Sequence, residues 1–184
     1  MTGLMTAIEA SCESEWTSRS LTQLAGHLSA HYRYPTQKRL NTICELLSQP
    51  TSPGHAHEAT YSRLITAFHA LRLHVESHMR IEDDLLFPLV AAVEHPQVLR
   101  VRSSCQAARQ LVMRAIDGHK EILRLVDELK RAVRAMLSSS SSLPPETVPL
   151  LQAMATLWVL LLQQVDLEDR CLWPRALRLF CELP

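Results

Sequence analysis

An all-α fold, a four-helix bundle with an extra short helix after the first, is predicted by three features of the sequence. Only four of the 184 residues are glycine, and strand-type alternation is nearly absent. Apolar residues instead recur in steps of three and four over most of the chain, the spacing that builds one face of a helix. Turn-rich breaks at residues 50–57 (PTSPGHAH), at His95-Pro96 and at 138–145 separate the periodic stretches from one another. Residues 1–17 form an N-terminal segment, and 18–184 make a single domain of ordinary globular composition, 47% hydrophobic and 21% charged.

Helix one begins at Ser20, where Ser20 and Gln23 make a capping-box pattern, and runs to about Tyr34, with Leu24, His27 and His31 on its inner side. Pro35 interrupts it, and a short further helix from Thr36 to about Leu47 carries Leu40, Ile43, Cys44 and Leu47. The second long helix spans about Glu58 to Phe87. Its stripe reads Leu64, Phe68, Leu71, Val75, His78, Glu82, Leu85 and Leu89, and backward extrapolation turns Tyr61 and His57 inward. Pro88 kinks or ends this helix. The third, within Val98 to Leu137, has the stripe Val112, Ala115, His119, Ile122, Val126, Leu129 and Val133. Gly118 beside His119 weakens that helix by about 1 kcal/mol relative to Ala, a cost that is offset if a backbone or ligand must come close. Ser138 to Ser142 and Leu143-Pro144-Pro145 form a loop. The fourth helix starts near Glu146, an acid at the positive end of the helix dipole, with the stripe Leu150, Met154, Leu157, Leu161, Gln164, Glu168 and Cys171.

Charge and cysteine content narrow the function. Nineteen basic residues balance nineteen acidic ones, so no net positive field draws in nucleic acid or an anionic membrane. Five cysteines, an odd number with no C-x-x-C pair, argue against a disulfide framework or a thiolate metal site and fit a reducing cytoplasm. The opening MTGLMTAIEASCESEW lacks the basic-then-apolar order of a secretory signal, and the apolar run from Val148 to Leu162 is too short to span a bilayer.

The chemistry lies where polar side chains interrupt the core stripes. His78 and Glu82 sit one turn apart on an otherwise apolar line, and a buried carboxylate needs a partner or a cation. Residues 78–88, HMRIEDDLLFP, align without a gap on 164–174, QVDLEDRCLWP, matching Glu82 to Glu168 and His78 to Gln164. Two helices presenting one motif is what a pseudo-symmetric dinuclear site inside a bundle requires. The set His27, His57, His78, Glu82, His119 and Glu168 supplies imidazoles for borderline metals and two carboxylates able to bridge a pair of them.

The order H-x-x-x-E-x-x-x-L-F-P, an isolated His on helix three, and E-D-x-x-L-W-P-R-A-L near the end resembles the hemerythrin-like HHE cation-binding family. Within that family it is most similar to the di-iron iron-sulfur-cluster repair (RIC) proteins, over roughly residues 18 to 180. The resemblance implies a hemerythrin-like bundle holding two non-haem irons through five histidines and two bridging glutamates. By the motifs, these fall on His27, His78, Glu82, His119 and Glu168, with His57 as the loop-proximal histidine and His55 its rival. Gln164 stands where the family has histidine and is a neutral, harder donor; His31 is an alternative ligand from helix one. The cysteine-motif domain that precedes many repair proteins has no counterpart in this sequence.

The function this implies is a cytoplasmic non-haem di-iron protein of the nitrosative or oxidative stress response. It would bind a small diatomic ligand, NO or O2, or support repair with iron-sulfur proteins as partners, with no nucleic acid or membrane. The alternatives are an iron- or oxygen-sensing or iron-storage protein without catalysis, and a metal-free helical interaction module.

Overall fold

The computed structural model describes residues 16, 18–49, 55–94, 102–139 and 147–182, with the side chains of 55–58, 102–105 and 181–182 outside that description. Apart from Trp16 and the two short stretches flanking helix one, 18–20 and 48–49, these residues lie in four long helices: α1 (residues 21–47), α2 (55–94), α3 (Arg102–Ser139) and α4 (147–182). The predicted corner at His95-Pro96, the start at Glu146, residues 50–54 and the later serines of the loop fall outside the described residues. Ser138 and Ser139 belong to α3 rather than to the loop, and α2 begins at His55, ahead of the expected Glu58.

The N-terminus of α1 is closed as the sequence predicts. The Gln23 N–H donates to Ser20 Oγ at 3.0 Å, and the Ser20 N–H donates to Gln23 Oε1 at 3.1 Å. Glu94, at the end of α2, adds a second cap by accepting from the Leu21 and Thr22 N–H groups and from Thr22 Oγ1. The expected short helix is present as Tyr34–Leu47, and it joins the first without a loop.

That continuity, and the matching continuity past Pro88 and Pro174, has one cause. Proline lacks an N–H and its ring collides with the carbonyl four residues back, which breaks a helix or makes it widen locally. Here it widens. Single π-turns occupy Ser29–Arg33, Glu82–Leu86 and Glu168–Leu172, and each ends two residues before a proline: Pro35, Pro88 and Pro174. In the latter two, the N–H of Phe87 reaches back five residues to the Glu82 carbonyl, and that of Trp173 to Glu168.

Each π-turn also moves the inner stripe on by one residue. In α1 the buried positions run Leu21, Leu24, Leu28, then Arg33, Thr36, Leu40, Ile43 and Leu47, so His31 leaves the inner face; His27, ahead of the π-turn, is half-buried beside that line. In α2 the stripe holds from Leu64 to Glu82 and continues at Leu86, Val90 and Val93; Leu85 and Leu89, read inward on regular helical spacing, are displaced outward, Leu85 to 48% exposure. The stripes of α3 and α4 are buried as predicted, from Val112 to Val133 and from Leu150 to Cys171.

Two apolar clusters result. One is built on Leu40, Phe68, Leu71, Ile122, Leu129, Met154 and Leu157, the other on Leu24, Leu28, Phe87, Val112, Leu172 and Trp173. Burying each such side chain contributes about 1.5–3 kcal/mol, so the bundle does not depend on what lies between them. Between them lies a polar layer of Arg33, Thr36, His78, Glu82, His119, Gln164 and Glu168, all buried. Residues 147–180 are long and apolar enough, by length and composition, to cross a membrane, because the apolar run continues through Gln152 in one unbroken helix. In the bundle that helix gives Leu150, Met154, Leu157 and Leu161 to the core and Gln164 and Glu168 to the polar layer.

Candidate metal centre

The polar layer is assembled where the π-turns of α2 and α4 meet. Glu82 and Glu168 are the first residues of their π-turns, and both are completely buried. His78 stands one turn before Glu82 and Gln164 one turn before Glu168, so the helical step of four places each beside its own glutamate. His78 Nε2 is 3.1 Å from Glu82 Oε1, and Gln164 Nε2 donates to Glu168 Oε1 at 3.0 Å. His119 of α3 reaches both carboxylates, at 2.8 Å from Glu168 Oε2 and 3.5 Å from Glu82 Oε1. Its other ring nitrogen, Nδ1, pairs with Asp169 Oδ1 at 2.7 Å, an arrangement that orients a ligand imidazole and directs its Nε2 inward.

Gly118 has a steric role. A Cβ built on it would lie 2.6 Å from His78 Nδ1, so only glycine lets the imidazole seat against α3. The Gly118 carbonyl, in turn, is 3.3 Å from His74 Nε2, and His74 stacks on His78 with ring centres 6.4 Å apart.

Arg33 enters the layer from α1. Its Nη2 is 2.6 Å from Glu82 Oε2 and 3.5 Å from Glu168 Oε1, and its Nε is 3.3 Å from Asp83. The guanidinium lies over the Phe87 ring at 5.0 Å and the residue is only 7% exposed.

Burial raises the Glu82 carboxyl, but the Arg33 guanidinium and the nearby His119 and His78 outweigh it and hold Glu82 well below the usual carboxylate range. Glu168 goes the other way, pushed up to about 8 by burial and then by the charge of Glu82. Burial disfavours a charged His119, yet Asp169, Glu168 and Glu82 together raise its imidazole to about 11. Without a cation, then, the layer retains protons between its acids and bases; a metal ion takes the place of such protons, and its binding releases them.

The residues fit a cation by a structural criterion. One ligand atom each from His78, Glu82, His119 and Glu168 lie within 4.8 Å of one another. His78 Nε2, Glu82 Oε1, His119 Nε2 and Glu168 Oε2 are all buried and all without a hydrogen-bond partner. Their separations have hydrogen-bond length but not hydrogen-bond alignment. Buried ligand atoms that converge without aligned hydrogen bonds are what a metal ion satisfies once it has displaced their protons, whereas leaving them unpaired costs about 1–3 kcal/mol for each group. Two imidazoles and two carboxylates suit a borderline divalent metal.

Of the residues expected to ligate, the structure gathers His78, Glu82, His119 and Glu168, with Gln164 beside them. His27 is elsewhere. It is half-buried with its ring 4.4 Å from those of Trp16 and His31, and His31 is exposed. The side chains of His57 and His55 lie outside the described residues. Arg33 was not anticipated, although the sequence holds the signal for it: Pro35 has the same offset from Arg33 as Pro88 from Leu86 and Pro174 from Leu172, the ends of the other two π-turns.

A four-helix bundle closing on buried histidines and glutamates, two of them within repeated π-turns, defines a cation-binding helical protein. The chain belongs to the hemerythrin HHE cation-binding domain family, whose model matches residues 36–176. His78, Glu82, His119, Gln164 and Glu168 lie inside the match, while His27 and Arg33 precede it. Comparison with curated proteins gave no match.

Proposed function

We propose that the chain holds iron at His78, Glu82, His119 and Glu168 and binds NO or O2 there in a nitrosative or oxidative stress response, or supports iron-sulfur cluster repair, in the cytoplasm. The observation that carries the metal reading is the set of four buried, unpartnered ligand atoms. Its physiological side rests on the similarity of the repeated E-D motifs to the RIC proteins. Iron bound there supplies redox chemistry and coordination positions beyond the four protein ligands. The rest is the work of the chain. Asp169 fixes the His119 ring through Nδ1, Gly118 admits His78, and the apolar clusters on either side keep bulk water from the layer.

Protein isolated under reducing, anaerobic conditions is expected to retain iron after desalting, and added ferrous iron is expected to raise the thermal midpoint. NO should then change the visible spectrum of the iron-loaded protein alone. No retained iron and an unchanged midpoint would remove the metal reading. Iron with no response to NO or O2 would remove the diatomic-ligand reading and leave storage.

A further inference from the structure

The two glutamates turn one oxygen each to opposite sides of the polar layer, and the sides are related by the sequence repeat. On one side, Glu82 Oε1 and Glu168 Oε2 meet His78 Nε2 and His119 Nε2. On the other, Glu82 Oε2 and Glu168 Oε1 meet Arg33 Nη2 and Gln164 Nε2. Corresponding distances agree closely. His78 to Glu82 is 3.1 Å and Gln164 to Glu168 is 3.0 Å; His119 lies 2.8 and 3.5 Å from the two acids, and Arg33 lies 2.6 and 3.5 Å from them. The next residue of each repeat completes the relation, since Asp169 pairs with His119 at 2.7 Å and Asp83 with Arg33 at 3.3 Å. Phe87 and Trp173, equivalent by the same alignment, stack on each other at 6.3 Å.

The layer therefore has two pseudo-equivalent positions, and Arg33 occupies in one the place of His119 in the other. Their chemistry is opposite. Once its protons are displaced, the first position offers a metal four lone pairs, whereas the second is faced by the N–H groups of Arg33 and Gln164. A guanidinium has no lone pair to give a metal and remains charged when buried, so it repels a cation instead of ligating it. Gln164 turns its amide N–H toward Glu168 Oε1 at 3.0 Å, so this residue also meets the second position with a donor. Moving Arg33 out would leave the second oxygens of two fully buried carboxylates without their cation.

We propose that this centre takes a single metal ion, with the Arg33 guanidinium serving as a built-in cation in the second position. The inference rests on the metal-binding reading above and refines it. Arg33 neutralises the carboxylate oxygens that a second ion would bridge, and it keeps Glu82 and Glu168 oriented toward the one ion that binds.

The test is stoichiometry. Wild-type chain and the double variant Arg33→His/Gln164→His, which supplies imidazoles on the second side, are loaded anaerobically with ferrous iron or with cobalt(II), desalted, and assayed for metal per folded chain. The wild type should hold one ion and the double variant two. In the wild type, cobalt should give the paramagnetic signal of an isolated ion that saturates at one equivalent. Arg33→Lys, which keeps a cation bearing only donors, should also hold one ion. Two ions per wild-type chain, or a spin-coupled cobalt pair, would overturn the single-ion assignment while leaving the metal centre standing. No bound ion would overturn both. A folded double variant that still takes one ion would show that Arg33 and Gln164 are not what excludes the second; should that variant not fold, the wild-type cobalt titration and Arg33→Lys decide the question alone.

Discussion

Segments 78–88 of α2 and 164–174 of α4 enter the bundle centre through the same π-turn, with a glutamate at its first position and a proline two residues past its end. Their backbones are alike and their chemistry is not. In the first, an imidazole offers a lone pair beside the glutamate; in the second, an amide offers an N–H. The partners from the other two helices carry the contrast further, with His119 opposite one position and Arg33 opposite the other. A duplicated scaffold thus holds a site whose two halves differ by donor type alone. Geometry is set by the repeat, and affinity by whichever atoms stand at its equivalent points.

The sharpest way to break that comparison is to truncate equivalent residues. His78→Ala should weaken metal binding by more than about 100-fold, beyond the range seen for groups that merely orient a ligand, whereas Gln164→Ala should change it by less than about 10-fold. Metal titration of both variants, with the helical signal checked by circular dichroism, decides it; equal losses would mean that the two halves are not distinct.

Next in size is the pair of aspartates. Asp169→Asn should cost metal affinity about 10–100-fold because it loosens the His119 ring, while Asp83→Asn, which touches Arg33, should cost much less. The readout is the same titration, and a larger loss for Asp83→Asn would reverse the assignment of the halves.

Gly118→Ala sharpens the role of close packing. Helix propensity alone predicts a gain of up to about 1 kcal/mol. The added Cβ, however, would meet His78 Nδ1 at 2.6 Å, so the imidazole must shift and metal affinity should fall by about 10-fold, the lower end of the range for ligand-orienting groups. Unchanged metal binding together with a raised melting temperature would show that His78 accommodates the methyl group.

The smallest effect serves as a control away from both halves. Glu94→Ala removes the second cap of α1 and should cost about 1 kcal/mol of stability, with no change in metal stoichiometry. Burial raises the Glu94 carboxyl, but hydrogen bonds from Thr22 and Leu21 outweigh it and lower it below its ordinary value. Its stabilisation is thus present above the unfolded pKa of about 4.3 and is lost as pH falls through the lower folded value. The gap between wild type and Glu94→Ala should narrow in acid denaturation profiles; a gap constant down to the lowest pH would rule out the charged cap.

The fold, the stripes of α3 and α4, the capping box at Ser20 and the pairing of Glu82 with Glu168 were all legible in the sequence. Each depends on local spacing, which a helix converts directly into facing. Gly118 does admit a close approach, but by the His78 side chain rather than by the backbone or ligand that the sequence suggested. What local spacing could not supply was phase after a proline. Reading Pro35 as a break leaves His31 on the inner side, whereas the widened turn carries the helix through, inserts one residue and brings Arg33 in; His27, ahead of that turn, lies beside the buried line of Leu24 and Leu28 rather than on it. Leu85 was misplaced for the same reason. Whether a proline ends a helix or widens it depends on whether the far side of the bundle stabilises the continuation, as Leu40, Ile43 and Leu47 do for α1 by packing in the first apolar cluster. The sequence by itself determined four amphipathic helices and two acids in a repeated motif; only the tertiary structure decided which side chains of α1 face those acids, because that choice is made by contacts among residues far apart in the chain.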